Sequence, residues 1–550
     1  MAAKIQSKKK DFPELVFGIV GPMGVDIQAI CDSLIVALHA VEYTSTVIHI
    51  TKEMLRKDRY TLQNFPVHAP ATTDFYSDVN FKISYANALC KEFKDPATMA
   101  RIALRAIGDA REIKTGSRSK VNPSKPTAYI IRQLKRPDEV VLLRKVYGRQ
   151  FILISAYGPA GQRQQLLEER LRHTLIPGSP HHEIVCKAAE LIDKDAREDG
   201  EDLGQHVRET FHHADVFIDG LVRSEMDLKL SRFVQALLGK TDIAPSKAEY
   251  GMYAAKSASL RSADLSRQVG AAVFSDEGEM ITQGCNEVPK AFGGTYWDTE
   301  SPDFRDVKLR RDPNEVIKKE LLRELFDRMD RAGLLSDKAK KAGSPAQMVA
   351  KFTRKESKGR DEEDEARDED DGVLASCAVL NLTEFGRVVH AEMCAICDAA
   401  RLGRSVRNCT LFVTTFPCHN CTKHILASGI RRVIYIEPYP KSRAQELHSN
   451  EISIEQDTPG KVSFIPFLGI SPFRYRDIFQ KGRRKDGHGD ALDYVEGYPF
   501  PMIEGVSTAY IENEAIEWGK LVVDIEPASF ENSEHLAAEA ASPPPISDAG

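Results

Sequence analysis

Four residues in the second half of the chain have the types and spacing of a metal-dependent hydrolytic site. One residue separates His390 from Glu392, and two separate Cys418 from Cys421. An imidazole and two thiolates would fill three positions around a tetrahedral Zn²⁺ and leave the fourth open, as catalytic zinc sites do. Water at an open position of zinc has a pKa near neutrality. The residue types therefore indicate hydrolysis, with Glu392 carrying protons.

The surrounding sequence predicts elements that bring these two pairs together. Helix-forming residues run from Ala391 to Arg401 and end before Gly403, so the first pair lies at a helix start. The apolar, β-rich run from Thr410 to Thr415 predicts a buried strand, and a second helix is predicted from Cys421 to Ser428. Two helix N-termini would then face one cation, and their positive dipole ends favour anionic ligands.

The complete pattern, H-x-E followed by P-C-x-x-C, is typical of the zinc-dependent nucleobase deaminases. In that class the glutamate is the general acid and base and does not bind the metal. We therefore predict that Glu392 is catalytic and that the histidine and both cysteines bind Zn²⁺. Two other interpretations remain open: a structural zinc site completed by His424 or Cys397, and a chance pair of cysteines in a reduced core.

Composition and charge limit the class of protein. With 550 residues, 42% of them apolar, the chain is long enough for about two to four globular domains. The net charge of −6 gives no basic field that would attract nucleic acid. We find no apolar run of membrane-spanning length, and no apolar segment of a secretory signal follows the first lysines. Ten scattered cysteines fit a reducing compartment, so we expect a cytoplasmic protein with no membrane partner.

The first half begins with a predicted strand, a glycine-containing turn and a helix. The strand runs from Leu15 to Val20 and the helix from Asp26 to Ala40, with Gly21 and Gly24 between them. Backbone N–H groups in such a turn can hold a phosphate. The lysine of the P-loop motif is missing, because Val25 follows the last glycine. Gly21 and Gly24 are therefore candidates for nucleotide binding, and the alternative is that they form only a tight turn.

Strands and helices alternate through this half, which predicts an α/β fold with a parallel sheet and helices on both faces. Later strands are predicted at Thr46–Ile50, Thr127–Ile131, Phe151–Ala156 and Asp215–Asp219. The stretches Tyr129–Gly148 and Ala214–Asp219 resemble P-loop kinase-like domains. We therefore predict a P-loop kinase-like domain at 13–243, after a flexible N-terminus at 1–12.

The second half is predicted to form one further domain at 244–525. A charged insertion at 299–372 interrupts it and contains an acidic run from Asp361 to Asp371 that cannot bury apolar surface. We expect this insertion to be a solvated surface segment, with gating of the substrate or contact with a partner subunit as the alternatives. The tail at 526–550 is rich in small residues and proline and is expected to be disordered.

Residues on two loops of this domain are candidates for substrate binding. The hairpin that ends at Cys285–Pro289 resembles the opening hairpin of deoxycytidylate deaminases, and the Asn286 amide offers a donor and an acceptor to a sugar or base. The strand from Arg432 to Ile436 ends before a second loop, and ligands bind at the carboxyl ends of such strands. The predicted substrate contacts are Asn286, Ser262, Gln268, Tyr439, Lys441 and Ser442.

The sequences HAEMCAICDAARLG, TTFPCHNC and EPYPKS resemble the cytidine and deoxycytidylate deaminase superfamily, and in particular the anti-phage dCTP deaminases. The resemblance implies a P-loop-like domain followed by a cytidine-deaminase-like α/β/α sandwich. It also implies a Zn²⁺ hydrolase acting on cyclic amidines, which converts dCTP and also dCMP to deoxyuridine nucleotides and drains a nucleotide that phage replication needs. The implied partners are the deoxycytidine nucleotide, a nucleotide effector at the N-terminal domain, a regulatory small RNA and further copies of the chain.

Other functions remain open from the sequence. One is a housekeeping dCMP deaminase that supplies dUMP for thymidylate synthesis. Another is a deaminase of single-stranded polynucleotides, although that class uses a basic channel with aromatic stacking platforms and this chain is acidic. A third is a nucleotide-binding regulator in which the deaminase domain serves only assembly, which the intact metal and glutamate pattern argues against.

Overall fold

The computed structural model describes residues 12–56, 59–60, 62, 74–121, 126–174, 180–196, 205–354, 372–375, 377–482, 484–491 and 508–521. Nearly all of the N-terminus predicted to be flexible (1–12), the acidic run 361–371 and the tail 526–550 lie outside these residues. Within the described ranges, no helix combines the length and the hydropathy needed to cross a membrane.

The strands of the described residues form two six-stranded sheets. In chain order the strands are β1 (Leu15–Val20), β2 (Thr44–His49), β3 (Thr127–Arg132), β4 (Phe151–Tyr157), β5 (Val216–Asp219), β6 (Gly270–Phe274), β7 (Met280–Cys285), β8 (Thr410–Thr415), β9 (Arg432–Glu437), β10 (Ile452–Ile454), β11 (Val462–Pro466) and β12 (Gly469–Ile470).

The helices of the described residues flank these sheets or belong to the insertion. They are α1 (Ile27–His39), α2 (Ile50–Glu53), α3 (Phe75–Glu92), α4 (Thr98–Thr115), α5 (Pro137–Tyr147), α6 (Ala160–Thr174), α7 (His181–Ala196), α8 (Val207–Phe211), α9 (Arg223–Leu237), α10 (Lys247–Ser259), α11 (Asp306–Leu309), α12 (Pro313–Arg331), α13 (Asp337–Lys340), α14 (Pro345–Phe352), α15 (Ala391–Arg401), α16 (His419–Ser428), α17 (Ala444–Leu447), α18 (Tyr475–Phe479) and α19 (Tyr510–Gly519).

The chain divides into two compact units. The first combines residues up to Glu249 with those from Phe467 onward, and the second is Tyr250–Pro466. Each unit contains one of the two sheets, and both sheets are rich in parallel pairs, so the predicted α/β class is confirmed at this level. The boundary differs from the predicted second domain at 244–525, because the residues after Pro466 return to the first unit.

The first unit is built on the sheet with strand order β12-β5-β4-β1-β3-β2. Strands β1 to β5 are parallel, and β12 adds an antiparallel edge through Gly469 and Ile470. All six residues of β1 are buried, so both faces of the sheet are covered, as parallel sheets require. Ile470 and Ile478 join the core beneath α1 and α9. Burial of these two apolar side chains explains why the segment belongs to this unit.

A buried ionic network joins the C-terminal helix α19 to the rest of the first unit. The guanidinium of Arg111 in α4 has no solvent exposure and donates to both Glu14 and Glu514, with N···O distances of 2.7–3.2 Å. Tyr147 and Tyr510 donate their hydroxyls to the same two carboxylates, at 2.7 and 2.9 Å. Each buried charge is therefore paired and hydrogen-bonded, which is the condition for its burial.

The second unit is built on the sheet with strand order β10-β11-β9-β8-β6-β7. Strands β8, β9, β11 and β10 are parallel, while β6 pairs antiparallel with β7 and β8. Alanines of α15 pack on one face with Val273 and Val413. On the other face α10 lies so close that a Cβ on Gly251 would meet Phe412 at 2.4 Å. Helices therefore cover both faces of the sheet.

Removal of the Arg111 charge tests the ionic network of the first unit. We expect Arg111→Met to lower the free energy of unfolding by about 3–5 kcal/mol, because Glu14 and Glu514 would be left as unpaired buried charges. Arg223→Met is the control, since Arg223 is 46% exposed and pairs with the exposed Asp227, and we expect at most about 1 kcal/mol. Urea unfolding of both variants provides the comparison; equal losses would contradict the role of the network.

Candidate metal centre and catalytic pocket

His390, Cys418 and Cys421 meet at one point of the second unit. The His390 Nδ1 lies 3.4 Å from the Sγ atoms of both cysteines, and the three ligand atoms lie within 4.8 Å of one another. Tetrahedral zinc with bonds of about 2.3 Å to sulfur and about 2.05 Å to nitrogen separates these atoms by about 3.5 Å. Both nitrogen–sulfur distances therefore match those around a zinc ion bound by the three side chains.

The folding of the chain around this centre follows from local sequence. His390 is the N-cap residue of α15, and Cys418 is the N-cap residue of α16, whose Sγ accepts from the Cys421 N–H. Gly284 in β7 allows α15 to approach closely, because a Cβ there would meet the Ala391 carbonyl oxygen at 2.5 Å. Two helix N-termini therefore face the centre, as predicted from the sequence, and stabilise anionic sulfur there.

The Glu392 carboxyl lies beside the two thiols and is 4% exposed. Burial, together with the negative charge of the Cys418 thiolate, raises the pKa of Glu392 to about 6. A carboxyl that titrates near neutrality can both accept and donate a proton at physiological pH. Hydrogen bonds from Cys421 and His390 hold the pKa of the Cys418 thiol well below its usual value, so this sulfur is a thiolate ready to bind a cation.

The alternative of a structural site with four protein ligands finds no support. Among the described residues, the cluster with metal-binding geometry consists of His390, Cys418 and Cys421. Neither His424 nor Cys397 belongs to it, and Cys397 is exposed. Three protein ligands beside a cavity leave a position for water or substrate, which is the catalytic arrangement.

A cavity of about 440 Å³ opens onto the metal centre. Its wall includes His390, Glu392 and Cys418, together with Asn286 and Tyr439. Ligand pockets for small molecules have volumes of about 300–1,000 Å³. The cavity is therefore large enough for a nucleotide, and its mixed polar and apolar wall suits a base and a sugar.

Asn286, Ser262 and Gln268, which were predicted to contact substrate, form hydrogen bonds with backbone groups of the surrounding loop. The Asn286 amide accepts from the Val269 N–H and donates to the Arg267 carbonyl, both at 2.7 Å, although Asn286 also lines the cavity. Ser262 donates to the Asn286 carbonyl and Gln268 donates to the Ser262 carbonyl, each at 2.7 Å. In the described structure Ser262 and Gln268 shape the loop and do not line the cavity.

The predicted substrate residues of the second loop differ in what they contact. Tyr439 and Lys441 line the cavity, and burial raises the pKa of the Tyr439 hydroxyl. Ser442 donates to the Pro417 carbonyl at 2.8 Å and so positions the loop that carries Cys418. We conclude that Ser442 supports the metal loop, whereas Tyr439 and Lys441 are placed to meet a ligand.

Part of the insertion, and the segment that follows it, line this cavity. Asn314 and Lys318 of α12 and the segment Leu380–Thr383 contribute to the wall, with Gly386 and Arg387. The charged composition of the insertion predicted a solvated surface, and gating of the substrate was kept as an alternative. The prediction that residues 299–372 are only a surface segment is therefore corrected for α12.

In the first unit, backbone groups of the glycine turn between β1 and α1 form hydrogen bonds with other residues of the same unit. The Met23 N–H donates to Asp195 at 2.6 Å, and the Asp26 N–H donates to the Gly220 carbonyl at 2.9 Å. Lys135 donates to the Gly21 carbonyl at 3.2 Å. Gly24 has a φ of +98°, which explains the glycine at that position. Nucleotide binding at Gly21 and Gly24 stays a prediction.

Comparison with protein families identifies the region around the metal centre. Residues 245–437 match the family model of the cytidine and deoxycytidylate deaminase zinc-binding region. This match and the three clustered side chains assign Zn²⁺ as the cofactor. The chain therefore contains a zinc-binding deaminase region, which covers less than half of its length.

Individual relatives match over short stretches. The deoxycytidylate deaminase of Enterobacteria phage T2 is 46% identical over 55 residues, which are 10% of this chain and 29% of that protein. The deoxycytidylate deaminase of Mus musculus is 37% identical over 90 residues, 16% of this chain and 46% of that protein. The chain thus spans less than a third of the length of the phage relative.

Among solved structures, one match is the dCMP deaminase of cyanophage S-TIM5 in complex with dCMP and dUMP. It is 18% identical, with a TM-score of 0.21, and the likeness covers 41% of this chain and 98% of that one.

Substitutions at the metal centre separate ligands from the proton carrier. We expect Cys418→Ser to lose most bound zinc, because a thiolate ligand is removed, and Glu392→Gln to keep one zinc per chain, because this carboxylate is not a ligand. Elemental analysis of the purified variants measures both. Zinc loss from Glu392→Gln with the fold intact would contradict the assigned roles.

Proposed function

We propose that the second unit is a hydrolytic deaminase that converts dCTP, and also dCMP, to the corresponding deoxyuridine nucleotide and ammonia. One observation carries the proposal: the buried Glu392 carboxyl lies beside His390, Cys418 and Cys421 at a nucleotide-sized cavity. A proton-carrying carboxyl next to a three-ligand metal site is what hydrolysis of an exocyclic amine requires.

The three ligand side chains would hold Zn²⁺, which when bound acts as a Lewis acid that lowers the pKa of a water molecule. Glu392 takes a proton from the water that attacks C4 of cytosine and delivers it to N3. The same carboxyl then takes the remaining proton from the new C4 hydroxyl and passes it to the amino group, so that the C4=O bond forms as the C4–N bond breaks and ammonia leaves. Burial of Glu392 supports this cycle, because its pKa of about 6 suits transfer in both directions.

The choice of dCTP and a role in anti-phage defence rest on the resemblance of the three motifs and on the presence of a separate α/β unit before the deaminase region. The phage T2 and Mus musculus relatives are deoxycytidylate deaminases, which favours dCMP and gives a second candidate, a housekeeping enzyme that supplies dUMP. The cavity wall contains Lys441, Lys318 and Arg387, so phosphate recognition is consistent with either substrate.

We further propose that the first unit is P-loop kinase-like. In its parallel sheet the glycine turn follows β1, which lies next to β4. The connections after β1 and after β4 run to opposite sides of the sheet. Ligands bind at such topological switch points. A nucleotide effector would have to displace Asp195 from the Met23 N–H. The effector, a regulatory small RNA and assembly into a homo-oligomer stay predictions.

Substrate choice is tested with zinc-loaded protein and separate reactions with dCMP, dCDP, dCTP, CTP and a cytosine-containing single-stranded oligonucleotide. We expect ammonia and a deoxyuridine nucleotide from dCTP and dCMP, with no reaction of Glu392→Gln. Chromatography identifies the products. Turnover of dCMP alone would favour the housekeeping enzyme, and deamination of the oligonucleotide alone would contradict the proposal.

The pH dependence tests the role of Glu392 as the base. We expect kcat/KM to fall as the pH drops below about 6, because the carboxyl whose pKa burial raises to about 6 must be ionised to accept a proton. A nearby cation lowers this pKa, so the decline starts at or below that pH. Zinc content is measured at every pH as the control. A constant rate through this range, with zinc retained, would contradict the assignment.

A further inference from the structure

Helix α12 of the insertion and a turn that follows the insertion in sequence form one wall of the catalytic cavity. The parts that meet there are the first turns of α12 and the 3₁₀ turn Ala378–Asn381. Asn314, Lys318, Leu380 and Asn381 line the same cavity as Glu392 and Cys418. A ligand at the metal centre is therefore bounded on one side by residues of the insertion.

Lys318 is a buried cation in this wall. It is 3% exposed, and its ammonium donates to the Leu380 carbonyl at 2.7 Å and forms an ion pair with Glu315. Glu315 is 51% exposed, so water weakens this pair. An ammonium has three N–H donors, and two acceptors account for its contacts among the described residues. One donor of a nearly solvent-free cation is thus left for a ligand in the cavity.

Lys441 reaches the same turn from the deaminase side. Its ammonium donates to the Asn381 side-chain oxygen at 2.8 Å. Leu380 and Asn381 are consecutive, so the two ammonium groups hold neighbouring residues of one turn. A pair of cations placed against a cavity wall attracts an anion, and a phosphate offers several strong acceptors.

We propose that α12 of the insertion and the turn Ala378–Asn381 together supply the phosphate-recognition wall of the deaminase cavity, with Lys318 binding the nucleotide phosphate and Asn381 holding Lys441 in place for the same group. The inference rests on the proposed function, in which the ligand is a cytosine nucleotide. Lys318 contacts the phosphate and Asn381 is a positioning residue. The wall would thus distinguish nucleotides from the free nucleoside.

The test measures the Kd of dCMP, dUMP and deoxycytidine by calorimetry for the zinc-loaded, full-length Glu392→Gln protein, which is expected to keep zinc without turnover, and every variant below is made in that background. We expect Lys318→Met to weaken binding of dCMP and dUMP about 10- to 100-fold, the effect of losing one hydrogen bond to a charged group, and to leave deoxycytidine unchanged. Lys319→Met is the matched control, because Lys319 is the exposed neighbour in α12 and does not line the cavity.

A second variant is expected to change the affinity for dCMP in the opposite direction, and it leaves the buried Lys318 side chain in place. Glu315→Gln removes the exposed carboxylate that competes for Lys318, so we expect tighter binding of dCMP and no change for deoxycytidine. Asn381→Asp places a carboxylate beside Lys441 and should weaken dCMP binding selectively, whereas Asn381→Ala should also disturb the position of Lys441.

Equal changes for dCMP and deoxycytidine in Lys318→Met would show that Lys318 only supports the fold and would overturn the inference. If Lys318→Met does not fold, unchanged dCMP affinity in Glu315→Gln overturns it. Binding is measured without turnover, so absence of ammonia release with intact phosphate-dependent affinity would refute the proposed reaction and not the phosphate wall.

Discussion

The second unit depends on how two sulfurs, an imidazole and a carboxyl are kept together beside one cavity. Cys418 and Cys421 lie 3.4 Å from the same His390 nitrogen, and the buried Glu392 shares this space. Buried negative charges repel one another and lose their hydration, so the cluster needs positive charge. Two helix N-termini supply part of it, and a divalent cation supplies the rest. Strand β7, with glycine at 284, brings α15 close enough for this arrangement.

The same constraint organises the surroundings of the metal centre. Ser442 fixes the loop that carries Cys418, and Asn286 fixes the loop between α10 and β6. These residues hydrogen-bond to backbone groups of the loops around the cavity; Asn286 also lines it, and its contact with substrate stays a prediction. Lys318 of the insertion and the later turn at Leu380 and Asn381 form one side of the cavity. The residues around the cavity thus come from different parts of the sequence.

Local patterns predicted the elements around the metal closely. The strand Thr410–Thr415 and the helix Ala391–Arg401 have the bounds expected from the sequence, because apolar runs, glycine stops and cap residues are local signals. The metal cluster followed from residue types and spacing alone. The hydrogen bonds of Ser262 and Gln268 to backbone carbonyls could not be predicted in this way, since the same side-chain groups could equally contact substrate.

Long-range packing explains what sequence patterns missed. Strand β12 has two residues, and it pairs with β5 although more than two hundred positions separate them, which no local pattern reveals. Helix α19 reaches the first unit through Glu514 and Arg111, a pair recognisable only when both are placed. The burial of Lys318 could not be predicted from local sequence either, because a charged helix in a charged insertion has the composition of a solvated helix. The structure shows that this lysine is buried.

X-ray absorption at the zinc edge of the folded, zinc-loaded chain tests most directly whether one imidazole and two thiolates bind a zinc ion that keeps a position for a small ligand. We expect two sulfur neighbours at about 2.3 Å and two nitrogen or oxygen neighbours at about 2.0–2.1 Å. Four sulfur neighbours, or none, would contradict it.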